Sequence, residues 1–185
     1  MTVIIGAEHN GKVYMGWDSA SLNGGWGVNA LSGQKVFIHQ QKFLIGVAGQ
    51  PRLHDILKHQ LDVRPQTEGE SDEHYMVDGF IMAVREALRA NGHLTQEEGR
   101  ETIDTSDIMV GYNGLLYWIG SDLEVLHFRE QVAGIGSGAD LAVGALSALL
   151  RERPTLPIET LMQKALKIAG DFSASVRPPY YVEKL

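Results

Sequence analysis

Residues 1–19 read MTVIIGAEHNGKVYMGWDS, and the fold turns on this stretch. Two short apolar runs, Val3-Ile4-Ile5 and Val13-Tyr14-Met15, flank His9-Asn10-Gly11. Asn-Gly between apolar strands is a strong hairpin signal, because both residues tolerate positive φ. Antiparallel pairing then folds the two ends of the stretch back on each other, with Thr2 at one end and Asp18 at the other. A hydroxyl, a carboxylate and, once Met1 is removed, a free α-amino group share one small volume.

Outward from this hairpin, Ser19 to Gly33 is polar and rich in glycine and reads as a loop. Lys35 to Ile38 and Phe43 to Ala48 form a second strand pair around His39-Gln40-Gln41, with apolar runs that suggest burial on both faces. Gly49-Gln50-Pro51 breaks the strand, and a helix begins near Pro51 with Leu53, Ile56, Leu57 and Leu61 as its stripe. Residues 63–72 are a polar surface connection, in which Ser71 or Asp72 caps the next helix. That helix carries Tyr75, Met76, Phe80, Ile81, Val84 and Leu88 and stops at Asn91-Gly92.

His93 to Asp104 is polar and reads as loop, and three strands follow: Ile108 to Tyr112, Leu115 to Ile119 and Val125 to Phe128. Gly134-Ile135-Gly136-Ser137-Gly138 leads into a helix through Leu141, Val143, Leu146, Leu149 and Leu150. A last helix runs from Ile158 to Ala169, ended by Gly170, before Phe172 to Tyr181 returns toward strand. Strands in blocks and helices in pairs point to a layered α+β fold, not an alternating β-α parallel sheet.

The 185 residues suit one domain, 1–185, able to bury a sizeable core. A net charge of −7 disfavours nucleic acid as a partner. The absence of cysteine excludes disulfides, thiolate metal sites and cysteine nucleophiles. No signal-peptide pattern and no apolar run of about 18 residues is present, so the expectation is a cytoplasmic enzyme or assembly subunit with no membrane contact.

The arrangement resembles the proteasome β-subunit family, and most of all the small HslV-like peptidases, over nearly the whole chain. The resemblance rests on Thr2 after Met1, the strand ending Gly16-Trp17-Asp18-Ser19, Lys35-Val36, Gly46-Val47-Ala48-Gly49, and Gly136-Ser137-Gly138 before a helix. It implies a four-layer αββα sandwich, an N-terminal nucleophile (Ntn) hydrolase, and a homo-oligomeric ring chamber. It also implies an ATP-dependent unfoldase as partner and peptide or unfolded protein as substrate.

The chemistry then falls to few residues. Thr2 is the proposed nucleophile, and an N-terminal threonine can use its own α-amine as base. That amine titrates near ~8 when unperturbed, so a modest downward shift makes it basic at neutral pH. Lys35 supplies such a shift, since like charge disfavours the protonated amine, and Asp18 pairs with Lys35 and fixes it. The Gly49 N–H faces the developing oxyanion. The resemblance places Ser137 and Asp171 in supporting hydrogen bonds, with Ser173 and Ser175 on either side of the family's serine position, here Ala174. It also puts Val47 in the pocket for the residue before the scissile bond. Substrate adds as an extended strand beside Ser21-Leu22 and Gly49.

Other signals carry less. Gly134-x-Gly136-x-x-Ala139 mimics a dinucleotide fingerprint but lacks the parallel strand and acid of a βαβ unit. Ile135 spoils a nucleophile elbow. His54 and His59 lie five apart, off the spacing that puts two ligands on one helix face. No cofactor and no metal site is expected from the residues, and only the resemblance suggests an ion near Gly170 and Ser173. The leading reading is a threonine endopeptidase. An inactive proteasome-like scaffold subunit and an amidohydrolase acting on a small amide are the alternatives.

Overall fold

The first hairpin forms as its turn demands. Strands β1 (Ile4–His9) and β2 (Lys12–Trp17) meet at Asn10 and Gly11, whose φ values are 52° and 72°. Positive φ at both central residues matches the twist of the flanking strands, so the register runs from His9↔Lys12 back to Ile4↔Trp17. Val3 and Asp18 therefore stand opposite each other just beyond the open end, with Thr2 one residue further out. The computed structural model describes residues 2–22, 28–30, 34–97, 99–104 and 106–185, with backbone alone at 22, 28–30 and 97.

The chain continues through β3 (Ala20–Leu22), β4 (Val28–Ala30), β5 (Val36–His39) and β6 (Phe43–Ala48) into helix α1 (Pro51–Gln60). Helix α2 (Asp72–His74) passes through a π-helical stretch (Tyr75–Phe80) into α3 (Ile81–Ala90). Then come β7 (Thr95–Glu97), β8 (Arg100–Thr102), β9 (Asp107–Tyr112), β10 (Leu115–Ile119), β11 (Val125–His127) and β12 (Val132–Ile135). Helices α4 (Ala139–Glu152) and α5 (Ile158–Phe172) precede β13 (Tyr181–Lys184).

Two antiparallel sheets carry the core, one ordered β12-β1-β2-β13 and the other β11-β10-β9-β6-β5. Three apolar layers follow. Ile4, Val13, Met15, Leu44, Met109 and Leu116 fill the space between the sheets. Ile5, Ala7 and Tyr14 turn the other way, against Leu146 of α4 and Leu161, Met162 and Leu166 of α5. Phe43, Ile45 and Val110 face Leu53, Ile56 and Leu57 of α1 and Phe80 and Val84 of the α2–α3 run. The order helix, sheet, sheet, helix is the four-layer sandwich expected. It explains why β1 and β6 lack polar alternation: both faces are buried, and each fully buried Leu or Ile contributes ~1.5–3 kcal/mol. Among the described residues no helix is long and apolar enough to cross a membrane.

The structure departs from the sequence reading at weakly patterned segments. Gly134-Ile135 reads as the lead into a helix but forms, with Val132 and Ala133, strand β12, because β1 offers it an edge. Short ladders join β3 to β4 and β7 to β8 in segments read as loops. Helix α5 does not end at Gly170 but continues to Phe172. The glycine there is a packing residue: a Cβ would lie 2.2 Å from the Tyr180 hydroxyl. Strand β5, at a sheet edge, leaves Ile38 45% exposed instead of buried on both faces.

Candidate active site

Asp18, the residue after β2, is fully buried and its carboxylate accepts four hydrogen bonds. Oδ1 takes the Val3 N–H at 3.0 Å and the Lys35 ammonium at 2.7 Å. Oδ2 takes the Ala20 N–H at 2.9 Å and the Arg177 N–H at 3.2 Å. A buried charge is costly unless paired and bonded, and here both oxygens are. The acid thereby ties together the start of β1, the start of β3, the residue before β5 and the approach to β13.

Lys35 is 7% exposed and also donates to the Ala20 carbonyl at 2.8 Å. Burial pushes its ammonium below the ordinary value, and the bond and charge of Asp18 oppose that push. The Lys35 carbonyl accepts the Val47 N–H at 3.2 Å, so the second hairpin locks the lysine to the strand that ends at Gly49.

Thr2 is 9% exposed and sits against the turn from β12 to α4. Its carbonyl accepts the Gly138 N–H at 3.3 Å. Gly136, at φ 87°, runs beneath it: a Cβ there would stand 2.4 Å from the Thr2 carbonyl oxygen. Only glycine permits both that backbone conformation and that approach. The Val3 amide and the Lys35 ammonium share one oxygen of Asp18, so the cation lies beside the residue that follows Thr2. The arrangement suits a hydroxyl nucleophile with a neighbouring amine and a cation to tune it.

Gly49 follows β6 at φ 124° and is exposed. Its N–H has no backbone acceptor among the described residues. An exposed amide with no backbone acceptor among the described residues can meet a developing oxyanion.

No family model matches the chain. Among solved structures it is similar to Thiobacillus denitrificans BPH, at 18% identity and a TM-score of 0.77, over all of this chain and 97% of that one. That protein was also solved in complex with Epoxomicin, at a TM-score of 0.76 to this chain. A eukaryotic HslV from Trypanosoma brucei matches at 21% identity and a TM-score of 0.70, over 100% of this chain and 99% of that one. The helical assembly of the Anbu complex from Pseudomonas aeruginosa matches at 14% identity and a TM-score of 0.66, over 100% of this chain and 81% of that one. The fold is that of the proteasome-like Ntn hydrolases. At these identities the likeness is one of fold.

Within this Ntn fold the remaining expected residues separate. Ser137, in the turn before α4, is exposed and donates to the Ser175 hydroxyl at 3.1 Å. Asp171 joins neither residue. It lies on the exposed side of α5, bonded to Lys167 one helical turn earlier at 3.2 Å. The reason is the extension of α5 past Gly170, which keeps Asp171 on the helix surface. Val47 is buried, on the same face of β6 as Phe43 and Ile45, in the apolar cluster that includes Leu53, Ile56 and Leu57 of α1. Ser21 is half-buried on β3, whose partner is β4, and the Leu22 side chain lies outside the described residues.

Several residues of the site escape a reading of the sequence. Ser175 is buried between Ser137 and Ser173, at 3.1 and 2.7 Å. Arg177 contributes its backbone amide to Asp18, and its guanidinium holds the turn through the Ser173 and Val176 carbonyls at 3.2 and 3.1 Å. Backbone donors leave no trace in residue type. The two serines flanking Ala174 were the available signal, and the partner of Ser137 was the missing datum.

Proposed function

We propose that this chain is a threonine-type endopeptidase, one subunit of a ring-shaped, self-compartmentalising protease of the cytoplasm. The observation that carries the reading is the Asp18 carboxylate, buried and shared between the Lys35 ammonium and the amide next to Thr2. Loss of what precedes Thr2 leaves its nitrogen as a free amine. Lys35, held charged by Asp18, lowers the amine's proton affinity so that it is neutral near pH 7. The amine takes the Thr2 hydroxyl proton as Oγ1 bonds to the peptide carbonyl carbon. The Gly49 N–H stabilises the resulting oxyanion, an interaction worth roughly 3–4 kcal/mol. The amine then passes the proton to the leaving nitrogen, the C–N bond breaks, and a threonyl ester remains. Water, deprotonated by the same amine, displaces the ester and restores the hydroxyl.

Peptide binds as an added strand between Ser21 and Gly49, which makes main-chain bonds the main source of affinity. The reading takes the chain as one folding unit and its working form as a homo-oligomer served by an ATP-dependent unfoldase. A helical assembly of the Anbu complex, with the same fold, supports assembly.

Intact mass and labelling test the reading together. The purified protein should have lost Met1 and should gain the mass of one epoxomicin, the compound bound in the Thiobacillus complex. Thr2→Ala should abolish both label and peptide cleavage. A chain that keeps Met1 and takes no label is the scaffold subunit instead, and one that needs Thr2 but ignores peptides is a small-amide hydrolase.

A further inference from the structure

The oxyanion donor proposed above belongs to a turn of two residues, Gly49 and Gln50, between β6 and α1. That turn is gripped from a distant part of the chain. Ser106, just before β9, is 1% exposed, and its hydroxyl accepts the Gln50 N–H at 3.1 Å. The same side chain lies directly beneath Gly49: a Cβ on Gly49 would stand 2.3 Å from Ser106 Oγ and 2.7 Å from Ser106 Cα. The Gln50 side chain reaches the same connection and donates from Nε2 to Asp104 Oδ2 at 2.6 Å. Gln50 is the residue before the first turn of α1, yet it makes no side-chain cap on that helix; its amide group is committed to Asp104.

We propose that Ser106 is a positioning residue for the oxyanion donor, with Asp104 as its outer support. The inference rests on the peptidase reading. Two adjacent amides, Gly49 and Gln50, leave the end of β6. Ser106 takes the second, while the first has no acceptor among the described residues and can meet an oxyanion. Contact of Ser106 with the Gly49 backbone holds the peptide plane at the φ of 124° that aims it. A donor that rotates freely must be ordered during the reaction, whereas a held one needs no reorganisation. Ser106 touches neither substrate nor reacting atoms; it acts through the turn.

The test compares Ser106→Ala, Ser106→Cys and Asp104→Ala with the parent, using one fluorogenic peptide, a peptide boronate that forms the tetrahedral adduct, and the matching peptide amide as a non-covalent inhibitor. Loss of a whole oxyanion donor costs about 100- to 1000-fold in kcat, and misaiming one should cost roughly tenfold. Ser106→Ala is therefore expected to lose about tenfold in kcat and as much in boronate affinity, with KM and amide affinity within twofold. Ser106→Cys, which keeps a weak acceptor, should lie between it and the parent. Asp104→Ala, at an exposed position, should lose about two- to threefold in kcat by the same route.

Parent-like kcat and boronate affinity in Ser106→Ala and Asp104→Ala overturn the clamp. Equal losses of boronate and amide affinity overturn it too, since they mark general damage to the cleft. In both cases epoxomicin label on Thr2 of the parent leaves the peptidase reading intact. A parent that neither labels nor cleaves overturns both. Should Ser106→Ala fail to fold, Ser106→Cys and Asp104→Ala decide by the same ratio of boronate to amide loss.

Discussion

Two ion pairs of nearly equal length behave oppositely in this molecule. Asp18 and Lys35 meet at 2.7 Å with both side chains buried, while Arg64 and Glu70 meet at 2.6 Å with the arginine 38% exposed. In the first pair burial wins, and the lysine is pushed down despite its partner. In the second the partner wins: the arginine is pushed up, and its bond lowers the Glu70 carboxyl to about 2. Contact distance is therefore a poor guide to what a pair does. The solvent taken from a pair decides whether burial or the partner's charge sets the proton affinity of its members.

The largest effect expected from this contrast is that of Asp18→Ala. It leaves a buried ammonium and three backbone amides without their acceptor, so urea denaturation should show a loss of about 3–5 kcal/mol, and labelling of Thr2 should cease. Replacing both partners, as in Asp18→Asn with Lys35→Met, removes the unpaired charge and keeps one acceptor oxygen for the backbone amides, so it should return part of that stability but none of the labelling. If the double variant is as unstable as Asp18→Ala, the pair is not the tuned element described.

A smaller effect is expected in alkali. The Lys35 proton is held less tightly in the folded chain than in the unfolded one, whose value is 10.5. Stability from this group should thus rise with pH between the lowered value and 10.5 and stay flat above it. Denaturation midpoints between pH 7 and 11 should show that rise in the parent and lose it in Lys35→Met.

The smallest effect lies in acid. Glu70 is lowered in the fold, so its contribution is complete above 4.5 and is lost as pH falls toward about 2. Glu70→Gln should flatten that part of the acid unfolding curve and leave the curve above pH 5 unchanged. An equal flattening from Lys35→Met would erase the distinction between the two pairs.

Legibility in the sequence followed the strength of local signals. The Asn10-Gly11 turn, the apolar runs of β6 and β9, and the proline at the start of α1 each specify their own conformation. Strand β12 has four residues and a central glycine, and only the open edge of β1 makes it a strand. Gly170 reads as a stop because glycine costs a helix about 1 kcal/mol, but Tyr180 packs over it and the helix continues. That continuation turned Asp171 outward and left Ser175 as the partner of Ser137.

What the sequence determined alone is that Thr2 and Asp18 both lie at the open end of one hairpin, with Asp18 opposite Val3, because a two-residue turn and a fixed register leave the ends of β1 and β2 nowhere else to be. Tertiary structure decided the rest of the site. Arg177 reaches Asp18 across 159 positions, and Ser106 reaches Gln50 across 56. Contacts at such separations are set by how the sheets and connections stack, and a backbone amide or a lone serine hydroxyl carries no mark in the sequence of the partner it will find.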